Sequence, residues 1–326
     1  MNITIVNPSK IPALLYGGTE RVIWYLGKEM AKLGHKVTYL VAAGSVCDFA
    51  NVRALNNQLP LNEQIPENTD IVHFNFPVNE KISKPFVTTI HGNSSSGQEF
   101  DINTIFVSKN HAERHNSTSY VYNGLDWDDY GKLDLNKERI YFHFLANAAW
   151  KVKNLKGAMK ICSLANEKLA VLGGNRLNFK MGFRLTLNTD IKFYGMVGGE
   201  KKMELLSKSK GLIFPVLWDE PFGLALIESM YFGCPVFGTP YGALSEIVNN
   251  ESGFLSDKAD DIAEAIKNID TFDRKIISDY AVENFNSKRM AIEYLKRYEI
   301  VLSGKTLNET KPIYNQELNQ KIFKFS

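Results

Sequence analysis

Apolar positions along the chain alternate between short unbroken runs and longer stretches in which they recur every three or four residues. The first pattern is that of strands buried on both faces, the second that of helices packed by one face. Asn2-Ile3-Thr4-Ile5-Val6 is the first strand. Val22, Ile23, Leu26, Met30 and Leu33 mark the helix that follows, opened by Gly17-Gly18. Gly34-His35 stops that helix and Lys36 to Val41 is the next strand, which makes a βαβ unit. Ile71 to Phe74, Phe86 to Ile90 and Ile105 to Val107 continue the series. A polar, charged stretch over 127–138 reads as a linker, and a second series starts with the strand Tyr141 to Ala146. Its later strands are Leu169 to Leu172, Ile191 to Gly195, Leu212 to Phe214, Val236-Phe237 and Gly253 to Leu255. Helices fall between them, and a long one runs from Ser287 to Leu302. The pattern predicts an α/β chain of two Rossmann-like domains with parallel sheets, 1–138 and 139–303. Residues 304–326 form a polar tail with a small apolar end at Ile322, Phe323 and Phe325, either poorly ordered or returning to the N-terminal domain.

Composition narrows the class of protein. At 326 residues, each of two domains can bury its own core. The apolar fraction of 44% and charged fraction of 23% are those of an ordinary globular chain. A net charge of +2, without any basic run, argues against nucleic acid as a partner. Cys47, Cys162 and Cys234 are far apart and form no CxxC pair, which fits a reducing compartment and gives no zinc site. The chain opens directly on a strand pattern and no apolar run reaches transmembrane length, so a cytoplasmic protein is expected.

Candidate chemistry concentrates between Phe214 and Ile247. Glu228 lies in a helix predicted from about Phe222 to Phe232, with Leu224, Ala225, Tyr231 and Phe232 as its neighbours one turn away. A carboxylate on such a face costs roughly several kcal/mol unless something hydrogen-bonds it. Glu220 stands in the loop before that helix, Pro221 suits a first helical position, and Gly223 leaves the first-turn N–H groups open. The arrangement is that of an anion seat at a helix N-terminus. His91 follows a strand directly, where open α/β sheets bind ligands, and Ser108-Lys109 follows another. His73 lies inside its strand and reads as a core histidine. Lys151, Lys153 and Lys156 sit between a strand and a helix, either as a solvated loop or as a cationic clamp for phosphate. Asp126-Trp127-Asp128 has the carboxylate spacing of some divalent-metal sites, but its place next to Asp129 in the linker reads as a solvated connector.

Glu220-Pro221-Phe222-Gly223-Leu224 with Glu228, Gly233-Cys234-Pro235-Val236, and Gly242-Ala243-Leu244-Ser245-Glu246-Ile247-Val248 together resemble the E-x7-E, G-x-P-V and G-x-x-E-I-V segments of the GT4 family of retaining glycosyltransferases, which have the GT-B fold. Gly17-Gly18 with Glu20-Arg21, His91-Gly92, Asn123-Gly124-Leu125-Asp126, and the helix from Phe285 to Tyr298 extend the resemblance over roughly residues 1–303. It implies two Rossmann-like domains whose sheets face each other across a cleft. It also implies transfer of a sugar from a nucleoside-diphosphate donor, UDP- or GDP-linked, to an acceptor hydroxyl with retention, in cell-envelope or other glycan biosynthesis. No metal and no cofactor are expected.

The resemblance assigns roles as well. Glu228 would hold the ribose hydroxyls, and Glu220 with the N–H groups of Phe222, Gly223 and Leu224 would contact the donor sugar and phosphates. Gly17 and Gly18 would let the other domain's backbone close on the diphosphate. Lys156 would be the lysine before glycine that stabilises the departing phosphate. Its usual arginine partner is missing, with Lys151 the nearest substitute and Lys153 its rival. His91 would sit near the reacting sugar, and the backbone around Gly195-Met196-Val197 would meet the base. The acceptor, whether glycan, lipid-linked or small molecule, is unassigned, and contact with the inner face of a membrane stays open. Within the same fold, a phosphorylase, a sugar-nucleotide hydrolase or a non-catalytic sugar-nucleotide binder are the alternatives. A dinucleotide oxidoreductase fits less well, since the first βα junction lacks GxGxxG and Val41 leads into Ala42-Ala43-Gly44.

Overall fold

A computed structural model describes residues 1–13, 17–179, 181, 183–315 and 321–325. They divide into two compact units. The first takes residues 1–13, 17–126 and 285–315, and the second the described residues of 127–284 and 321–325.

The first unit is built on a parallel sheet of β1 (Asn2–Asn7), β2 (Lys36–Val41), β3 (Asn51–Ala54), β4 (Ile71–Phe74), β5 (Phe86–Ile90) and β6 (Thr104–Phe106). Its helices include α1 (Gly18–Lys32), α2 (Leu61–Gln64) and α3 (Lys109–Glu113). In the second unit the strands are β7 (Tyr141–Leu145), β8 (Leu169–Leu172), a separate hairpin β9 (Leu177–Asn178) and β10 (Arg184–Leu185), then β11 (Ile191–Phe193), β12 (Ser209–Phe214), β13 (Val236–Gly238) and β14 (Gly253–Leu255). Between and after them come α4 (Leu155–Leu164), α5 (Gly199–Ser207), α6 (Leu224–Tyr231), α7 (Leu244–Ile247), α8 (Ala259–Lys267) and α9 (Arg274–Asn284).

The sheet orders are β3-β2-β1-β4-β5-β6 and β11-β8-β7-β12-β13-β14. Counted within each sheet, both run 3-2-1-4-5-6, the doubly wound order whose direction reverses between the first and fourth strands. Ligands of such sheets bind outside the carboxyl ends at that reversal. Here those points lie between β1 and β4 and between β7 and β12. The apolar runs explain why these strands are central: Ile3, Ile5, Val72 and Phe74 in one sheet and Phe142, Phe144, Leu212 and Ile213 in the other are fully buried.

Both predicted domain boundaries move. The first stretch of the first unit ends at 126, so the expected break at 138 is twelve residues late. The supposed linker starts with a turn of 3-10 helix, Trp127–Tyr130. Trp127 and Tyr130 are buried, and Trp127 stacks on Tyr231 with centroids 4.6 Å apart. Asp126 is not solvated either. It is buried and paired with Lys28 at 2.7 Å and Lys32 at 3.5 Å. The second correction is larger. Helix α10 (Ser287–Leu302), expected to end the second domain, belongs to the first unit. Its Tyr298 hydroxyl donates to His73 Nδ1 at 2.7 Å, while His73 Nε2 donates to Thr89 Oγ1 at 2.7 Å and Thr89 donates on to Tyr294 at 3.2 Å. This buried polar chain bolts α10 to β4 and β5. Beyond it, Phe100 N donates to Pro312 O at 2.9 Å and Tyr314 N to Gln98 O at 3.0 Å, so this part of the tail is ordered on the first unit. Residues 321–325 instead meet the second unit, where Ala259 N donates to Lys324 O at 2.9 Å.

His73 and its counterpart in the second sheet, His143, are fully buried and neutral; burial pushes both pKa values down to about 3. His143 is held by Ser209 at 2.6 Å and Ser229 at 2.8 Å. The unfolded chain, with histidines near 6.5, binds protons between these values that the fold does not. Stability is therefore complete above that upper value and falls as pH drops through the window, by about 2 kcal/mol per histidine at pH near 5. The urea midpoint should fall steeply between neutral pH and about pH 5. A flat midpoint would mean that these histidines are protonated in the fold.

Candidate active site

In the second unit, the loops leaving β7 and β12 flank the reversal point and are laced together. Leu217 N donates to Val152 O at 2.7 Å and Asn154 Nδ2 to Pro215 O at 2.8 Å. Asn154 adopts a left-handed backbone (φ 54°) and caps α4 by accepting from Gly157 N at 2.9 Å. Just before this turn, Lys153 is directed inward. Its ammonium meets Glu220 Oε2 at 2.6 Å, and the Trp218 indole N–H reaches the same oxygen at 2.6 Å. The ammonium also lies 4.7 Å from the Trp218 ring centroid and 5.2 Å from that of Phe214. Lys153 and Glu220 are both buried. Lys151 and Lys156 are exposed. Of the three lysines, Lys153 is the one that reaches Glu220, while Lys151 and Lys156 face solvent.

The backbone of Glu220 is pinned as firmly as its side chain. Its carbonyl accepts from Ala243 N at 2.8 Å, and it bridges to Gly242. Gly242 has φ +66°, and a Cβ there would lie 2.2 Å from Glu220 N, so only glycine fits. Gly223, at φ +89°, starts α6. The helix therefore begins at Leu224 and not at Phe222, and Pro221 lies outside it. A Cβ on Gly223 would meet Leu226 Cδ1 at 3.0 Å and Glu220 Cγ at 3.3 Å. This glycine serves the turn and the packing over Glu220. Phe222 is buried, and Leu224 and Ala225, half-buried, open the first turn. As first-turn groups, the N–H groups of those two have no carbonyl one turn back in the helix to bond, the usual setting of an anion seat.

One turn further on, Glu228 is buried but not stranded on an apolar face. Its Oε1 accepts from the Tyr130 hydroxyl at 2.6 Å and forms a short ion pair with Lys202 Nζ. At the ends of β8 and β11, Gly173 N donates to Gly195 O at 2.7 Å and Gly195 N to Gly174 O at 3.1 Å. Met196 beyond them is exposed and Val197 half-buried.

The first unit places its own candidates. Gly17 caps α1 and Gly18 is the first helical residue. Ser108 is buried as the N-cap of α3, accepting from His111 N at 3.1 Å, so it does not line a crevice. His91, after β5, is hydrogen-bonded to Asn75 Oδ1 at 2.9 Å, while Asn75 Nδ2 donates to Val6 O at 3.2 Å. With the amide so oriented, His91 Nε2 carries the proton and Nδ1 presents a lone pair. Burial pushes the His91 pKa down to about 4, so the ring is neutral near pH 7. Beside it is a cavity of about 270 Å³, lined by Asn75, Phe76, His91, Asn93, Gln98 and Phe100 among others. Among the described residues, no lysine, arginine, aspartate or glutamate lines it. Among the described residues, no group of three or more His, Cys, Asp or Glu side chains could hold a metal ion. Nor, among them, is any helix long and apolar enough to cross a membrane.

Residues 126–275 match the family described as "Glycosyl transferases group 1". The match covers just under half of the chain and most of the second unit's stretch 127–284. An uncharacterized glycosyltransferase of Methanocaldococcus jannaschii is 27% identical over 100 residues, which is 30% of this chain and 25% of that protein. The aligned part thus spans about a quarter of that relative's length. Among solved structures, AviGT4, a glycosyltransferase involved in avilamycin A biosynthesis, superposes with a TM-score of 0.76 at 18% identity, covering 94% of this chain and 99% of that one. A glycosyltransferase of Rickettsia africae gives 0.70 at 18% identity over 93% and 99%. HepE of Anabaena in complex with UDP-glucose gives 0.62 at 16% identity over 93% and 100%. The chain has the GT-B fold of these structures.

The Lys153–Glu220 pair has a measurable signature. Lys153→Met alone leaves a buried carboxylate without its cation and should cost about 3–5 kcal/mol. Combining it with Glu220→Gln should cost clearly less than the two single changes added, as denaturation of all four proteins would show. Additive losses would mean that the two side chains do not interact.

Proposed function

We propose that the chain transfers a sugar from a nucleoside-diphosphate donor to an acceptor hydroxyl with retention of anomeric configuration. The observation that carries this is the meeting of Lys153 and Glu220 from both sides of the β7/β12 reversal, next to the N-terminus of α6. Departure of a diphosphate gathers negative charge. A fixed ammonium and two helix N–H groups stabilise that charge without having to reorganise. Glu220 and Trp218 keep the lysine in position, and Glu220 is also the nearest carboxylate to a donor sugar seated there. Glu228 is proposed for the ribose hydroxyls, its rotamer held by Tyr130 and Lys202. The Gly195–Val197 backbone is proposed for the base. The UDP-glucose complex of HepE makes UDP-sugars the first donors to try, with GDP-sugars next.

For the first unit, Gly17 and Gly18 keep the proposed diphosphate role that the resemblance implies. The acceptor is proposed to enter the cavity beside His91. Amides, hydroxyls and two phenylalanine rings suit a neutral, hydroxyl-bearing ring, and the lone pair on His91 Nδ1 can accept from one of its hydroxyls. Cell-envelope or other glycan assembly is the setting this proposes.

Nucleotide release from UDP- and GDP-sugars, with neutral and anionic glycosides as acceptors, tests the reading. Turnover should require an acceptor and favour neutral ones, and the product should keep the donor's anomeric configuration by NMR. Lys153→Ala should lower kcat by about 10²-fold or more while nucleotide binding persists, and Lys156→Ala should stay near wild type. The reverse ranking of the two lysines would transfer the phosphate role to Lys156. Full turnover with water alone would make the protein a hydrolase.

A further inference from the structure

Between β8 and β11 the chain leaves the second sheet as the hairpin β9–β10, paired through Leu177 with Leu185 and Asn178 with Arg184. Its polarity is inverted. Arg184 turns inward and donates to Ala148 O at 2.8 Å and Asn175 O at 2.9 Å. Arg176 donates to Thr186 O at 3.1 Å, Asn188 O at 2.8 Å and Ile191 O at 2.6 Å, and Thr186 itself is buried. The alternate positions turn outward and are all large and apolar: Leu177, Phe179, Met181, Phe183, Leu185 and Leu187. Phe179 is 73% exposed, Phe183 70% and Leu187 80%, with the two phenylalanine rings 5.8 Å apart. A half-buried sheet in water has the opposite alternation, apolar inward and polar outward.

The charge behind this face is one-sided. From Arg176 to Lys192 the chain has four basic residues and one acidic residue, whereas the whole protein nets only +2. The guanidinium groups of Arg176 and Arg184 are hydrogen-bonded to neutral carbonyls, and Lys192 is exposed beside the Tyr194 ring at 5.1 Å. Aromatic and aliphatic side chains in front of uncompensated cations match the boundary between anionic lipid headgroups and acyl chains. Self-association fits less well. Six side chains offer on the order of several hundred Å², less than the ~800 Å² per partner of a stable interface. A two-fold contact would also bring the same cations together.

We propose that the hairpin β9–β10, with Phe179, Phe183 and Leu187, docks the protein on an anionic membrane, burying those three side chains at the lipid interface. This is independent of the transfer reaction proposed above. The test is flotation of the full chain with phosphatidylcholine vesicles, with and without added phosphatidylglycerol, at low and high salt. Wild type should float with the anionic vesicles, less so at high salt, and Phe179→Ser with Phe183→Ser should reduce the bound fraction about tenfold or more. Leu187→Asp, a single change at the most exposed of these positions, should act in the same direction and makes the result independent of how the double variant folds. Unfolding midpoints should stay at the wild-type value. Equal flotation of wild type and variants, absence of wild type from every vesicle, or a wild-type dimer dissolved by the same substitutions would each overturn the proposal.

Discussion

An ammonium and a carboxylate withdrawn from water must find each other, and whatever brings them together must be rigid. In this chain the pair is Lys153 and Glu220, and much of the second unit's loop geometry follows from it. The left-handed Asn154 marks where the loop after β7 turns, with Lys153 directed inward just ahead of it. Gly242 admits the backbone of Glu220, and Gly223 turns the chain into α6 over the carboxylate's own stem. Two aromatic rings exclude water from the ammonium. The shared strand order of the two sheets puts this pair at the one place along the sheet edge where neighbouring connections diverge and a ligand can enter.

Glu228 presents the same requirement with a different solution. An acidic residue in a buried helix is met by a phenol from Tyr130 and an ammonium from Lys202. It is thus held in one rotamer before any ligand arrives, which is what a carboxylate needs if it is to bind a diol without losing freedom at that moment. In the first unit the buried histidine network does comparable work for α10, turning a helix that follows the second unit in sequence into a structural part of the first.

The central strands were legible because a strand covered on both faces must be apolar throughout, and β2, β4, β5 and β8 fall where their apolar runs place them. Strand β3, Asn51–Ala54, was missed because it is an exposed edge with no apolar run. The hairpin was missed because its alternation is real but its inward side is polar. The amphipathic pattern of α10 identified a helix without saying which sheet it covers. Glu220 and Glu228 could be picked out as buried acids. Their partners could not, since Lys153 lies 67 residues from Glu220 and Tyr130 98 residues from Glu228, and only the fold brings them together. Among three closely spaced lysines, spacing alone does not tell which side of a left-handed turn faces inward.

The most direct measurement is a crystal structure of the protein with UDP. The diphosphate should lie against Lys153 Nζ and the N–H groups of Leu224 and Ala225, with the ribose at Glu228. A diphosphate bound at Lys156, or away from α6 with the Lys153–Glu220 pair untouched, would contradict it.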